Sequence, residues 1–358
     1  MKNQYILSIL ATLLLLFEST VAFGQDLYTL DTTNVGQIEA IVTLTDGQPS
    51  SVFDLSWSYG GQWLAVGRAQ GAFVYSVPTF QPASKPIGKR AYAVAFSPVS
   101  SLLAVTTSSS PSGILLKDLS TEAVYMLDHE ATSLAFSPDG SLLASGRGDG
   151  YVKLWNVGTL NQVAEFNTQT SNGPSDLSFS PDGRTLVVVN PGWNIQFWDV
   201  AALLSASISR TAELTPASVL ALPAVANGST SNVVFNKSGS VFFATSETAE
   251  TTIVESLSLE TNGISSVDIV IDQPKAQSGD YGTVIEIVQN PNGDLLALAN
   301  TDGQVFVVDA ATQKVLTVVP SSIDPTRAIV PIHVSFSPDG TMLAVAGQDG
   351  AVRIFGIR

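Results

Sequence analysis

A tight-turn phrase recurs seven times along this chain, and a repeat at a near-fixed period limits the possible folds more than any other feature of a sequence. The copies read Ser58-Tyr59-Gly60-Gly61, Ser97-Pro98-Val99-Ser100, Ser137-Pro138-Asp139-Gly140, Ser180-Pro181-Asp182-Gly183, Asn236-Lys237-Ser238-Gly239, Asn290-Pro291-Asn292-Gly293 and Ser337-Pro338-Asp339-Gly340. From one copy to the next the steps are 39, 40, 43, 56, 54 and 47 residues. The short steps hold one four-stranded unit of about 40–45 residues, and the longer ones leave room for loop insertions. In the clearest copy, Ser133 to Val157, a short apolar strand runs into the turn. Proline supplies a fixed φ there and glycine a positive one. Ser141 to Ser145 runs back, Gly148-Asp149-Gly150 turns again, and Tyr151 to Val157 returns as an aromatic and β-branched strand.

The repeated AFSPDG and LLA phrasing, with Leu154-Trp155-Asn156 and Phe197-Trp198-Asp199, resembles the WD-repeat β-propeller family over about Ile38 to Ile357. The Trp-Asp ending is kept in the third and fourth repeats. Elsewhere it reads Tyr75-Ser76, Lys117-Asp118, Val308-Asp309 and Phe355-Gly356. The resemblance implies an all-β fold, a seven-bladed β-propeller. After Ala351 to Ile357 the last repeat stops at Arg358 one strand short, while Ile38 to Leu44 is a strand-like run with no partner of its own. Pairing the two satisfies both open edges and closes the ring between the N-terminal strand and the last blade.

A repeat array needs only one domain despite its 358 residues. Strands covered on both faces should read as nearly continuous apolar runs, as Leu186 to Val189 and Leu295 to Leu298 do. In blade four, the insertion Ala201 to Pro216 opens with AALLSASIS, which suits a short helix. Residues 1–24 read as a signal peptide: Lys2 gives a positive start, Tyr5 to Phe17 is an apolar core, and Ala22-Phe23-Gly24 offers a cleavage site. That core is too short to cross a bilayer as a helix. The mature domain, residues 25–358, is therefore expected to be exported, periplasmic or extracellular, and soluble after cleavage, with no membrane insertion. It has no cysteine and so relies on no disulfide. Its net charge of −15 repels phosphate backbones, which disfavours nucleic acid and anionic membrane and leaves a basic protein surface or divalent cations as fitting partners.

His129, Ser145 and Asp149 have the residue types of a hydrolytic triad, but Ser145 sits in no strained Gly-x-Ser-x-Gly elbow. The resemblance implies instead that His129, Ser145, Asp149 and Trp155 form the buried hydrogen-bond network that ties a WD blade together. Asp302 and Asp349 hold the matching turn position in blades six and seven, without a matching histidine. With two histidines and no cysteine, no usual metal set can be assembled without carboxylates, and no nucleotide-binding loop is present. No catalytic residue, cofactor or metal site is expected.

Aligning the inner strands on the residue before each turn places Leu55, Val94, Leu134, Leu177, Val233, Ile287 and Val334 on one face. One residue earlier stand Asp54, Ala93, Ser133, Asp176, Asn232, Glu286 and His333. In a propeller the inner strands surround a central channel. Asp54, Asp176, Asn232, Glu286 and His333 should then gather at the mouth of one rim, shared with Arg68, Arg147 and the exposed-type aromatic Trp193 on neighbouring turns. The expected function is a non-catalytic scaffold, a monomer by itself, that presents this rim to a protein or peptide, as the resemblance implies. One alternative is a lactonase- or hydrolase-like propeller enzyme with a divalent cation held in the channel by Asp54, Asp176, Glu286 and His333. Another is a ligand- or sugar-binding module that uses Trp193.

Overall fold

The structure is a computed structural model describing residues 27–45, 51–108, 112–170, 173–190, 194–209, 215–221, 233–235, 239–248, 251–258, 263–265, 284–300, 303–312, 314–320 and 331–358. It is an all-β propeller whose strands pair into seven four-stranded antiparallel sheets. Sheet one is Val52–Trp57, Trp63–Arg68, Gly71–Ser76 and Gln81–Pro82; sheet two is Val94–Phe96, Leu102–Thr107, Gly113–Asp118 and Val124–Leu127. Sheet three is Ser133–Phe136, Leu142–Gly146, Tyr151–Asn156 and Gln162–Asn167; sheet four is Asp176–Phe179, Thr185–Asn190, Asn194–Asp199 and Ser218–Ala221. Sheet five is Val234–Phe235, Ser240–Thr248, Thr251–Ser258 and Gly263–Ser265; sheet six is Val284–Gln289, Leu295–Asn300, Gln304–Asp309 and Val315–Pro320. Sheet seven takes Pro331–Phe336, Met342–Gly347 and Val352–Gly356 from the end of the chain and Glu39–Leu44 from its beginning.

The recurring turn joins the first two strands of sheets three, four and seven by the same local chemistry. In Ser137-Pro138-Asp139-Gly140 the serine hydroxyl donates to Asp139 at 2.6 Å and accepts from the Leu142 N–H at 2.9 Å, and Asp139 also accepts from the Ser141 N–H at 3.0 Å. Ser180 with Asp182 and Ser337 with Asp339 repeat these bonds. Gly140, Gly183 and Gly340 close the turns at φ of 69°, 71° and 72°, a left-handed conformation in which a side chain would be strained. Asn290 does the same work in sheet six, its side-chain Oδ1 accepting from the N–H groups of Gly293, Asp294 and Leu295.

Between sheets lie apolar layers to which both neighbours contribute. Leu55, Trp57 and Val66 of sheet one meet Ala344, Val352 and Ile354 of sheet seven. Leu116 and Leu127 of sheet two meet Leu143 and Trp155 of sheet three. Leu295 and Val307 of sheet six meet Val334 and Leu343 of sheet seven. Every residue of Leu295–Asn300 and of Met342–Gly347 is buried, because a second strand is covered by a sheet on each side. Each large aliphatic side chain so placed stabilises the fold by about 1.5–3 kcal/mol. The insertion in sheet four opens with a helix, Val200–Ser209, started by Asp199, whose carboxylate accepts from the Ala202 N–H at 2.7 Å. Val200 and Leu203 pack onto the layer between sheets three and four.

Sheet seven joins the two ends of the described chain. Glu39 pairs with Gly356 and Leu44 with Val352, with a bulge between Ala40 and Val42. The preceding segment continues the attachment: the Tyr28 N–H donates to Ile357 at 3.0 Å, the Leu30 N–H to Gly340 at 2.8 Å, and Leu30 itself is fully buried. At the hub, the first strand of each sheet lies beside the first strand of the next, and that of sheet seven beside that of sheet one.

Deleting residues 1–45 removes the outer strand of sheet seven and uncovers the edge of Val352–Gly356. The truncated chain is expected to lose at least about 10 °C in thermal midpoint or to aggregate. A differential scanning calorimetry trace matching the full chain would show that this pairing contributes nothing.

Candidate functional site

The first strands surround a cavity of about 370 Å³ whose wall includes Asp54, Asp176, Glu286 and His333. Each carboxylate there is already engaged by backbone. Asp54 accepts the N–H of Leu55 on one oxygen and that of Val94, in sheet two, on the other, both at 2.8 Å. Asp176 repeats the arrangement with Leu177 at 2.8 Å and with Val233, at the start of sheet five, at 3.2 Å. Glu286 accepts from the Val334 N–H of sheet seven at 2.6 Å, and its other oxygen lies 3.4 Å from Nδ1 of His333. An acid at this position therefore spans the gap to the next first strand and satisfies an amide that no sheet partner reaches. Period-two alternation places these residues at the hub, but it cannot show that the next sheet supplies a donor.

Burial sets the protonation of this group. Desolvation pushes Asp54 up to about 6, against the opposing pull of His333 and of its two amide donors. Desolvation likewise pushes Asp176 up to about 7, against the amides of Val233 and Leu177. For His333, burial alone would depress the imidazole, but the charge and hydrogen bond of Glu286, with the charge of Asp54, carry it up to about 9. Near neutral pH the hub thus holds an imidazolium beside Glu286 and carboxyls at the edge of ionisation. Among the described residues no group of three or more His, Asp or Glu is placed to hold a metal ion. No described helix is long and apolar enough to cross a membrane.

A second hollow, a groove of about 410 Å³, adjoins the hub between sheets two and three. Its wall includes Tyr92, Thr107, Glu130, Arg147 and Asp149, and Tyr92 and Thr132 belong to both hollows. Tyr92 is 41% exposed and packs against Phe53 with ring centroids 5.1 Å apart. Arg147 stands 5.9 Å over the ring of Tyr151, itself 37% exposed. Tyr92 and Phe53 each immediately precede a hub position, Ala93 and Asp54, and that adjacency was the available signal for them.

The other expected site residues divide by location. Arg147 is exposed on the turn where it was expected, paired with Asp149. Arg68 is not on the surface. It is fully buried at the junction of sheets one and seven, where its guanidinium donates to the Gly350 carbonyl at 2.6 Å and lies 5.8 Å from the centre of the Phe73 ring. A guanidinium on a strand end next to a neighbouring turn finds a carbonyl there, and its stem is covered by apolar walls. Trp193, Asn232 and Asp302 lie outside the described residues.

The expected tie within sheet three forms in part. Trp155 Nε1 donates to Ser145 Oγ at 2.9 Å in a buried site. His129 is buried with its ring centroid 6.0 Å from that of Trp155, but its Nε2 finds no hydrogen-bond partner among the described residues, and Asp149 turns out to Arg147 instead. Desolvation, with the positive charges of Lys153 and Arg147, holds His129 down to about 4, so it is neutral at ordinary pH. Other sheets use other chemistry for the same job. In sheet four Trp198 Nε1 donates to Gln196 at 3.1 Å, and Gln196 donates to the Thr168 carbonyl of sheet three at 2.8 Å. In sheet seven Asp349 pairs with the buried Arg353 at 2.6 Å.

Comparison with known proteins agrees with this architecture over parts of the chain. Residues 287–358 match the family described as the anaphase-promoting complex subunit 4 WD40 domain, and residues 122–156 match the WD domain, G-beta repeat. A WD repeat-containing protein of Schistosoma mansoni, SL1-17, is 35% identical over 118 residues, covering 31% of this chain and 38% of that protein. The chain thus spans well under half the length of this relative. Together these matches support a WD-repeat β-propeller.

The hub charges have a pH signature. The native pKa of His333 lies above its ordinary value of 6.5, so its contribution to stability is complete below pH 6.5 and is lost as pH rises through about 9. Asp54 and Asp176 also bind protons more tightly when folded, so their ionisation near pH 6–7 acts in the same direction. Urea unfolding free energies are expected to fall by roughly 1–3 kcal/mol between pH 6.5 and 9, after allowance for water in the cavity. His333→Gln should flatten that slope. An unchanged slope in the variant would place the titration elsewhere.

Proposed function

We propose that this WD-repeat β-propeller is a non-catalytic, exported scaffold that presents one rim to a partner protein or peptide. The observation that carries the reading is the pair of adjoining hollows on that rim, hub cavity and groove, joined at the exposed ring of Tyr92. Concave surfaces lined by an aromatic and by charged groups of both signs are suited to recognition, and loops carried on rigid sheets hold them in place. Protein binding is what WD-repeat propellers typically do, which supports the reading. Within it, the seven sheets are seven blades of one ring closed by Glu39–Leu44, so that the rim is continuous.

Export rests on the sequence of residues 1–24, with a positive start, an apolar core and a small-residue site. Absence of cysteine suits a protein that relies on no disulfide after secretion. The net charge of −15 favours a basic partner surface and disfavours nucleic acid. The chain by itself is a monomer in this reading, since the first and last strands complete one sheet within the chain.

The test uses the tagged full chain produced in its own host. The reading predicts recovery outside the cytoplasm as a mature form that begins near Gln25, together with a partner lost on Glu130→Lys and kept on Asp182→Lys, a charge reversal on the opposite rim. Retention in the cytoplasm at full length would overturn export. Equal partner recovery by wild type and Glu130→Lys would overturn the role of the groove.

A further inference from the structure

We propose that the outermost strand of sheet two, Val124–Leu127, is a docking edge for an extended segment of another protein, apolar in its middle and basic at both ends. Among the described residues this strand pairs with Gly113–Asp118 alone, and its other side is open. The Asp118 N–H donates to the Ala123 carbonyl at 2.9 Å, which fixes the phase of the ladder. In an antiparallel pair the backbone groups of alternate residues face the partner strand, and those between them face away. Tyr125 and Leu127 therefore bond inward. The N–H and C=O of Val124 and Met126 face outward, with no hydrogen-bond partner among the described residues. The side chains are open as well: Val124 is 55%, Tyr125 47% and Met126 36% exposed, three consecutive apolar residues on one strand.

Other outermost strands are guarded against such pairing. That of sheet one is two residues long and ends in Pro82, that of sheet three carries an exposed Glu165, that of sheet six ends in Pro320, and that of sheet seven begins with an exposed Glu39. Short length, proline and charge are the usual means by which an edge refuses a further strand. Val124–Leu127 has neither proline nor charge. Charge selects the occupant. Exposed acids stand at both ends, Glu122 before the strand and Asp128 after it. Lys117 on the adjacent strand binds Glu122 at 2.7 Å, which leaves the edge negative. A second copy pairing antiparallel about Tyr125 would set Glu122 of each chain opposite Asp128 of the other, and like charges directly opposite destabilise a sheet. A partner strand with Lys or Arg at those two places meets an acid at each end instead, while its apolar middle covers Val124, Tyr125 and Met126. None of the strand's residues belongs to the wall of the hub cavity or of the groove, so the inference does not rest on the rim.

The experiment is fluorescence anisotropy of the full folded chain with a labelled heptapeptide amide, Lys-Thr-Val-Tyr-Val-Thr-Lys, beside the same peptide with Glu at both ends. Saturable one-to-one binding is expected for the first, and binding about tenfold weaker or less for the second. N-methylation of the third and fifth peptide residues, which face Met126 and Val124, should abolish binding, whereas N-methylation of the fourth should leave it in place. Met126→Pro removes an outward N–H without touching the inward ladder, so it should abolish binding with a thermal midpoint within about 2 °C of wild type. Asp128→Lys, at an exposed position, should narrow or reverse the preference between the two peptides, and it serves if the proline variant does not fold. Tyr92→Ala, on the rim, should change nothing. Absence of saturable binding, equal binding of both peptides or indifference to the place of N-methylation would overturn the proposal. So would loss of binding in Tyr92→Ala, which would move the peptide to the rim. Sedimentation showing a dimer of the chain that Met126→Pro dissolves would give the edge to a second copy and overturn the choice of partner.

Discussion

Where the first strands of neighbouring sheets meet at the hub, their leading amides point at another sheet rather than along a ladder, and an amide left without an acceptor there costs about 1–3 kcal/mol. Asp54, Asp176 and Glu286 resolve this by reaching from one sheet to the backbone of the next, at Val94, Val233 and Val334. Ser56 makes a lighter version of the same contact, accepting from the Phe96 N–H at 2.9 Å. Other contacts hold the same junctions farther out. Trp57 Nε1 donates to the Ser335 carbonyl and Arg68 to that of Gly350, both from sheet one to sheet seven. The arrangement of sheets thus depends on polar contacts from sheet to sheet as well as on the apolar layers between them.

Much of this architecture can be read in the sequence, for a physical reason. A turn is local: Ser137, Asp139 and Gly140 bond to residues no more than five positions away, so their spacing carries the whole interaction. The same holds for the apolar second strands, whose burial on both faces needs continuous runs such as Leu295 to Leu298. Arg68 fails for the converse reason. Its acceptor is 282 residues away, and no local pattern distinguishes a turn arginine in water from one buried against another sheet. The hub acids are an intermediate case. Alternation locates them, while their partners, 40 to 57 positions away, are set by how adjacent sheets dock.

The sheets are not copies in their internal ties. Trp155 with Ser145, Trp198 with Gln196, and Asp349 with Arg353 each satisfy polar groups near the same end of a blade. Each sheet needs only some satisfied polar pair at that place, so the residue types have room to differ. In sheet three Asp149 is drawn to Arg147 at the surface. His129 stays neutral in the interior because burial penalises its charged form, and the ion pair lies in the wall of the groove, where it faces solvent. The hub acids thus join sheets, and the exposed turn of sheet three with Tyr92 and Glu130 forms the wall of the open groove beside them.

The most direct measurement is equilibrium urea unfolding of Asp54→Ala, Asp176→Ala and Glu286→Ala, one at a time, beside the surface control Val99→Ala. If the acids join neighbouring sheets, each hub variant loses about 1–3 kcal/mol while the control stays within about 0.5 kcal/mol of wild type. Hub variants as stable as the control would contradict the account, since the leading amides would then need no partner from the preceding sheet.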